Sequence, residues 1–245
     1  MNVLAIDTST SFASIAVSVD EQIVAETLVN TNRTLSARLI PEIERLLSTV
    51  NLIIADIDIF SSSIGPGSFT GVRGGIATIQ GLALALGKPC AGFSSLAMLA
   101  MNFSFSKMLV CPMLDARKSE VYTALYDCSG QIPSSRINDS VVPPVVFCEH
   151  LASVTEDRII FAGDGAVIYR KQIADSLGDQ AVFSPFQLNI PHSANGAFLA
   201  LHASLNGNLL EPSQLLPLYL RASDAEIMKT KALNARDEVA ALKGI

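Results

Sequence analysis

Val3-Leu4-Ala5-Ile6-Asp7-Thr8-Ser9-Thr10-Ser11 decides how this chain is read. An apolar strand runs into an aspartate and then into four hydroxyl side chains, the pattern of a buried strand ending in a polar turn. Two further strand-like runs follow, Ser14 to Val19 and Ile23 to Val29, with Asp20-Glu21 as the hairpin turn between them. The three together read as an antiparallel meander that opens a mixed sheet. The same arrangement returns in the second half. Leu109 to Asp115 is a strand ending at aspartate, and Val121 to Asp127 is its successor. The two aspartates that end each pair are thirteen residues apart in the first case and twelve in the second. This is a weak internal repeat, of a kind that chance also produces.

Between the repeats lie helices. Leu35, Leu39, Ile43, Leu46, Leu47 and Val50 trace one face of a helix, with Thr34 or Ser36 as cap. Pro41 is expected to kink that helix. A strand over Ile57 to Ser62 leads into the loop Gly65-Pro66-Gly67-Ser68. A second helix then runs from about Thr70 to Leu86, closed by Gly87-Lys88-Pro89. A strand near Cys90 to Phe93 and a helix near Ser95 to Met101 complete the first half. Later come a strand at Arg158 to Ala162, the turn Gly163-Asp164-Gly165, and helices near Val167 to Ser176 and Ala194 to Asn206. Strands alternating with helices imply an α/β fold.

Bulk properties narrow the function. The 245 residues are 49% hydrophobic, enough for a large core. The longest apolar-leaning stretch, Ile76 to Leu86, is interrupted by Thr78, Gln80 and Gly81 and is too short to cross a bilayer. The opening residues read directly as a strand with no basic leader, so a cytoplasmic protein is expected. A net charge of −6 argues against this chain as the main holder of RNA, because phosphate contacts need clustered Lys and Arg. Cys90, Cys111, Cys128 and Cys148 are far apart and read as reduced packing residues. Neither they nor the scattered His150, His192 and His202 show metal-ligand spacing.

Four stretches could carry chemistry. Asp7 to Ser11 could bind phosphate oxygens, with Asp7 holding a metal or orienting water. On spacing alone the commoner reading is an ordinary polar turn whose hydroxyls satisfy their own backbone. Gly65 to Arg73 could offer amides to an anion at a helix N-terminus, or be a tight strand-to-helix turn. It is not a Walker loop. Gly71, Gly74, Thr78, Gly81 and Ala85 form a stripe of small residues along the second helix. Glycine costs about 1 kcal/mol relative to alanine inside a helix, so the stripe calls for close approach of another backbone. That neighbour could be the first helix, the sheet or a second subunit, and a helix-bundle interface is the expectation. Asp115 and Glu120 are paired carboxylates in principle, yet Arg117 and Lys118 beside them suit a salt-bridged turn.

Taken together, Leu4 to Ser9, Gly65 to Gly74, Gly81-Leu82-Ala83, Asp115-Ala116-Arg117 with Glu120-Val121-Tyr122, and Leu218-Tyr219-Leu220-Arg221 resemble the bacterial TsaB (YeaZ-type) family, in family order. The resemblance implies the actin-like, RNase H-like superfold of sugar kinases and chaperone ATPases, with two related lobes. Residues 1–104 would form the N-terminal lobe, completed by a helix near 193–206. Residues 105–192 would form a reduced second lobe, and 222–245 a charged tail.

It also implies a role in making tRNA threonylcarbamoyladenosine, as a non-catalytic partner of the transferase TsaD together with the ATPase TsaE. In TsaD two histidines four positions apart bind the metal, and the resemblance places those positions at Ser95 and Leu99, which cannot serve. No metal or tightly bound cofactor is implied, with room only for weak ATP or ADP binding. The implied docking face comprises Leu39, Ile43 and Leu46 with Gly71, Gly74, Thr78, Gly81 and Ala85, and a homodimer would use the same face. Asp7, Thr8, Ser9, Asp115, Gly163 and Gly165 would be vestiges of a nucleotide site. Contact with tRNA would be indirect. Thr34 stands where many relatives carry histidine. Two rivals remain: an ATP-dependent small-molecule kinase of the same superfold, and a metallopeptidase, a label once attached to this superfamily.

Overall fold

The computed structural model describes residues 1–30 and 39–221. Thr34, Leu35 and the charged tail 222–245 lie outside them.

The opening meander forms as its alternation dictates. β1 (Asn2–Asp7), β2 (Phe12–Val19) and β3 (Gln22–Asn30) pair antiparallel, with Asp20 at φ 52° in the hairpin turn. β1 is buried on both faces because β4 (Ile59–Gly65) joins its other edge in parallel, and β5 (Cys90–Ser94) joins β4. The resulting order is β3-β2-β1-β4-β5. The second sheet repeats it. β6 (Leu109–Arg117), β7 (Glu120–Asp127) and β8 (Ser134–Val142) form the antiparallel part. β9 (Ile159–Ala162) and β10 (Ala181–Phe183) extend it in parallel, giving β8-β7-β6-β9-β10. Two five-stranded mixed sheets of one topology, flanked by helices, make this the actin-like, RNase H-like superfold. Asp7 and Asp115 occupy matching places near the ends of β1 and β6.

In the first lobe α1 (Leu39–Thr49) and α2 (Phe69–Leu86) cover one face of the sheet. α1 turns Leu39, Ile43, Leu46 and Leu47 inward to Leu4, Ile6, Phe60 and Ile79. Pro41 is the third residue of this helix as described, and the residues before Leu39, where its expected cap lies, are outside the described residues. α2 is capped at its start by Ser68, whose Oγ accepts from the Gly71 N–H at 3.3 Å, and at its end by Gly87 at φ 61°. By length and composition α2 could span a bilayer, which the interrupted run from Ile76 had concealed. Its buried residues Val72, Ile76, Ile79 and Ala83 are instead taken up by the lobe's core.

The other face of the first sheet is covered by α7 (Ser193–Leu205), with Ala197, Ala200 and Leu201 against Val3, Ala5 and Ile59. α3 (Ser95–Ala100) leads to the second lobe. There α4 (Pro144–Val154), α5 (Asp164–Ile168) and α6 (Arg170–Leu177) pack on the second sheet. β8, α4 and β10 were not read from the sequence. β8 carries no clean alternation, and α4 begins with two prolines.

The chain then returns as a strap. Leu210 exchanges both backbone hydrogen bonds with Cys90 at 2.8 Å each, and Gln80 Nε2 donates to the carbonyls of Pro212 (2.9 Å) and Leu215 (3.0 Å). The Leu218 N–H donates to Ile64 O at 2.8 Å. Tyr219 stacks on Phe69 with centroids 5.3 Å apart, and the Arg73 guanidinium lies 3.8 Å from the Phe69 ring centre. Arg221 crosses to the second lobe, where it pairs with Glu120 at 2.6 Å and donates to Ala116 O at 3.1 Å.

Candidate cleft and docking face

A cleft of about 720 Å³ lies between the lobes. From the first lobe it is lined by the turn Thr8 to Ser11 and by the N-terminal end of α2, and from the second by Asp115, Arg117, Tyr122 and Asp164, with Arg221 at its edge.

The first-lobe side is occupied by its own backbone. Ser68 N–H donates to Ser9 O at 2.7 Å, and Thr8 Oγ1 donates to Gly71 O at 2.7 Å. A Cβ on Gly71 would sit 1.9 Å from Thr8 O, and one on Gly75 would sit 2.6 Å from Thr8 Oγ1. The glycine loop is therefore built to lie against the hydroxyl turn, and the neighbour of Gly71 is this chain's own Thr8. Beneath that contact Asp7 is buried. Its Oδ1 accepts from the Ser9 N–H at 3.1 Å and from the Ser63 hydroxyl, while Oδ2 has no partner among the described residues. Burial pushes the Asp7 carboxyl above its ordinary value of 3.8, although the bonds from Ser63 and Ser9 pull it down.

On the second-lobe side the carboxylates are reachable. Asp115 Oδ1 accepts from the Arg117 N–H at 3.0 Å and from Tyr169 OH at 3.3 Å. Asp164 Oδ1 accepts from the N–H groups of Asp115 (3.0 Å) and Gly165 (2.8 Å). Burial, reinforced by the Asp115 charge, raises the Asp164 carboxyl above 3.8. Arg117, Lys118 and Ser119 are three successive non-glycine residues at φ 60°, 55° and 61°, a strained turn at the cleft mouth. Glu120 is paired with Arg221 rather than with Arg117 beside it.

Gly163 and Gly165 do not face the cleft. A Cβ on Gly163 would lie 2.1 Å from Met113 O, and one on Gly165 would lie 3.0 Å from the Met113 and Leu114 carbonyl carbons. Both glycines let α5 close on β6. The cleft residue missed from the sequence is Asp164 between them, whose acidic side chain beside two glycines was the available signal.

The expected docking residues divide. Leu39, Ile43 and Leu46 are at most 5% exposed, and Gly71 is spent on Thr8, so these four serve the lobe's own packing. Gly74 and Thr78 are half-buried, with Thr78 Oγ1 donating to Gly74 O at 2.8 Å. Gly81 and Ala85 are exposed, a Cβ on Gly81 would meet nothing within 4 Å, and the neighbouring Leu84 is 74% exposed. Ser95 and Leu99 are both 0% exposed within the lobe junction. The four cysteines are buried as free thiols, and burial pushes Cys90 up to about 11 and Cys128 up to about 12.

A family profile, TsaD: tRNA N6-adenosine threonylcarbamoyltransferase, matches residues 22–229. The tRNA threonylcarbamoyladenosine biosynthesis protein TsaB of Escherichia coli is 38% identical over 90% of this chain and 95% of its own length. This chain belongs to the TsaB family. The Bacillus subtilis TsaB protein is 31% identical over 92% of this chain and 96% of its own. The solved structure of YeaZ from Pseudomonas aeruginosa superposes with a TM-score of 0.77 at 30% identity, covering 89% of this chain and 99% of that one.

Proposed function

We propose that this chain is a non-catalytic subunit in the synthesis of tRNA threonylcarbamoyladenosine. It binds and supports a TsaD-type transferase, alongside the ATPase TsaE, in the cytoplasm, and reaches tRNA only through its partners. The observation that carries this reading is α3. At the positions where the resemblance expects the transferase's two metal-binding histidines stand Ser95 and Leu99, buried and without ligand chemistry. The same residues argue against the metallopeptidase reading. We divide the chain accordingly into a first lobe, 1–104 with the helix 193–206, a second lobe, 105–192, and the tail 222–245.

The partner docks on the outward side of α2, around Thr78, Gly81, Leu84 and Ala85. Short side chains there admit a second helix at close range, and Leu84 supplies an apolar anchor. A homodimer uses the same face, since a partner of related fold can replace a second copy. Leu39, Ile43 and Leu46 support that face from beneath instead of touching the partner.

The test is reconstitution of tRNA modification from purified TsaD, TsaE and the enzyme that supplies threonylcarbamoyl, with and without this chain. Full modification in its absence would refute the subunit role. Gly81→Leu is expected to abolish both the homodimer and the TsaD complex while leaving the fold intact. Persistence of both complexes places docking elsewhere.

The kinase reading draws on one observation, the buried Asp7 carboxylate with its free Oδ2 beside a cleft that carries Asp115 and Asp164. It requires tight magnesium–ATP binding and hydrolysis that collapse in Asp7→Ala. The subunit reading expects weak nucleotide binding and no turnover.

A further inference from the structure

From Leu210 the chain runs as a strap over the first lobe, held by Cys90, Gln80 and Ile64 and by the stack of Tyr219 on Phe69. Leu215 is 0% exposed within that lobe's core. The strap is thus part of the first lobe until its end. There Arg221, its side chain 26% exposed, reaches the second lobe with two nitrogens. One donates to the Glu120 carboxylate at 2.6 Å and the other to Ala116 O at 3.1 Å. A guanidinium that meets an acceptor at each of two nitrogens is fixed in direction as well as in place. Its bond to a carboxylate is also roughly twice as strong as a neutral one.

The second lobe is shaped to receive it. The ladder between β6 and β7 shifts register between Asp115 and Arg117, so Ala116 faces no residue of its own on β7. A bulge of this kind leaves the extra residue unpaired in the ladder, and the carbonyl of that residue is the one Arg221 takes. The matching pair in the first lobe, β1 with β2, keeps one register from Asn2 to Asp7. The two sheets share a topology, and they differ at the point where the strap arrives.

Elsewhere the lobes are joined around α3. Ser94 Oγ donates to Asp139 at 2.7 Å, and Asn102 Nδ2 donates to the carbonyls of Leu188 (3.1 Å) and Ile190 (3.0 Å). None of these residues lines the interlobe cleft, whereas Ala116, Arg117 and Arg221 do. We infer that the grip of Arg221 on Glu120 and Ala116 is a latch that sets how far the interlobe cleft opens. While it holds, the lobes keep one separation. When it breaks, the second lobe swings about α3, and the wall carrying Asp115 and Asp164 moves away from the hydroxyl turn. A grip made only in the closed state shifts the balance toward that state by its own free energy. The latch lies within this chain, so it stands whether or not a partner docks on α2.

The test is the distance between the lobes in the full chain, read by pulsed electron resonance between two nitroxide labels. Glu44→Cys on α1 and Gln172→Cys on α6 place the labels at exposed positions, one on each lobe, while the four native thiols are buried. With the latch intact one narrow distance distribution is expected. Arg221→Ala should add a second, longer distance whose share rises several-fold over the parent chain. Glu120→Ala, which leaves Arg221 only the Ala116 carbonyl, should shift the distribution in the same direction. Arg136→Ala is the control. It breaks the ion pair to Asp127, 2.7 Å long and wholly within the second lobe, and should keep the parent distribution. The inference is overturned if Arg221→Ala or Glu120→Ala keeps the parent distribution, or if Arg136→Ala shifts it as far as they do.

Discussion

The turns after β1 and β6 occupy the same place in two sheets of one topology, yet they present their aspartates differently. Asp7 is covered by the glycine loop of α2, held by Ser63 and Ser9, and 1% exposed. Asp115 stands on the cleft wall with Tyr169 and the Arg117 amide. The first lobe has a long helix whose glycines let it fall onto the turn. The second has the short α5, which closes on β6 through Gly163 and Gly165 and leaves the turn uncovered. One strand pattern therefore yields a sealed carboxylate and an open one, and the helix that follows makes the difference.

Three experiments would break or sharpen this contrast. Gly71→Val should do the most damage, because its side chain would be driven into the Thr8 carbonyl. A loss of about 3 kcal/mol in urea denaturation is expected, and a loss near zero would mean that the loop does not clamp the turn. Ser63→Ala comes next. It strips Asp7 of a donor in a buried place and should cost about 2 kcal/mol. Asp7→Asn tests the same site through pH. A carboxyl raised by burial favours the protonated form in the folded state, so its ionised form weakens the fold as pH rises. The melting temperature of Asp7→Asn relative to the parent chain should therefore become more favourable as pH rises above the ordinary carboxyl value of 3.8. A flat difference would place the carboxylate in contact with solvent.

A smaller effect belongs to the pair that ties α7 to the sheet. His192 Nδ1 lies 3.3 Å from Glu26, which also accepts from the Ala194 N–H at 3.1 Å. The hydrogen bond to Glu26 raises His192 above 6.5. Burial opposes ionisation of Glu26, but the bonds from His192 and Ala194 outweigh it and hold Glu26 below 4.5. The histidine contribution is full below 6.5 and fades as pH climbs through the raised value. The glutamate contribution is full above 4.5 and fades as pH falls through the lowered one. His192→Asn should therefore cost most between those two values, about 0.5 kcal/mol for a partly exposed pair, with the deficit shrinking on either side in melts at several pH values. In the opposite direction, Gly81→Ala should gain about 1 kcal/mol, since the added methyl meets no neighbour and removes helix-interior backbone freedom. Gly71 and Gly81 share a stripe in sequence and should move stability in opposite directions.

That stripe marks where legibility ended. The strands that pair locally were read within a few residues, because burial on one or both faces imprints itself on neighbouring side chains. The repeat of Asp7 and Asp115 was only a weak signal in the sequence, and the two sheets of one topology give it meaning. β8 was missed because its residues Ser134 to Val142 are mostly half-exposed and mix polar with apolar without a clean period. The division of the small residues into Gly71, spent on Thr8, and Gly81, left open, depended on where β1 ends relative to α2, a contact across more than sixty positions. Asp164 was passed over for its flanking glycines for the same reason. Which of the three faces the cleft is decided by the packing of α5 on β6.

Strand order within the opening meander and the ends of α2 followed from the sequence, because propensity and capping are local. The buried state of Asp7 and the strap that carries Arg221 to Glu120 were decided only by the tertiary structure. Each depends on which distant backbone arrives, and no local pattern encodes that.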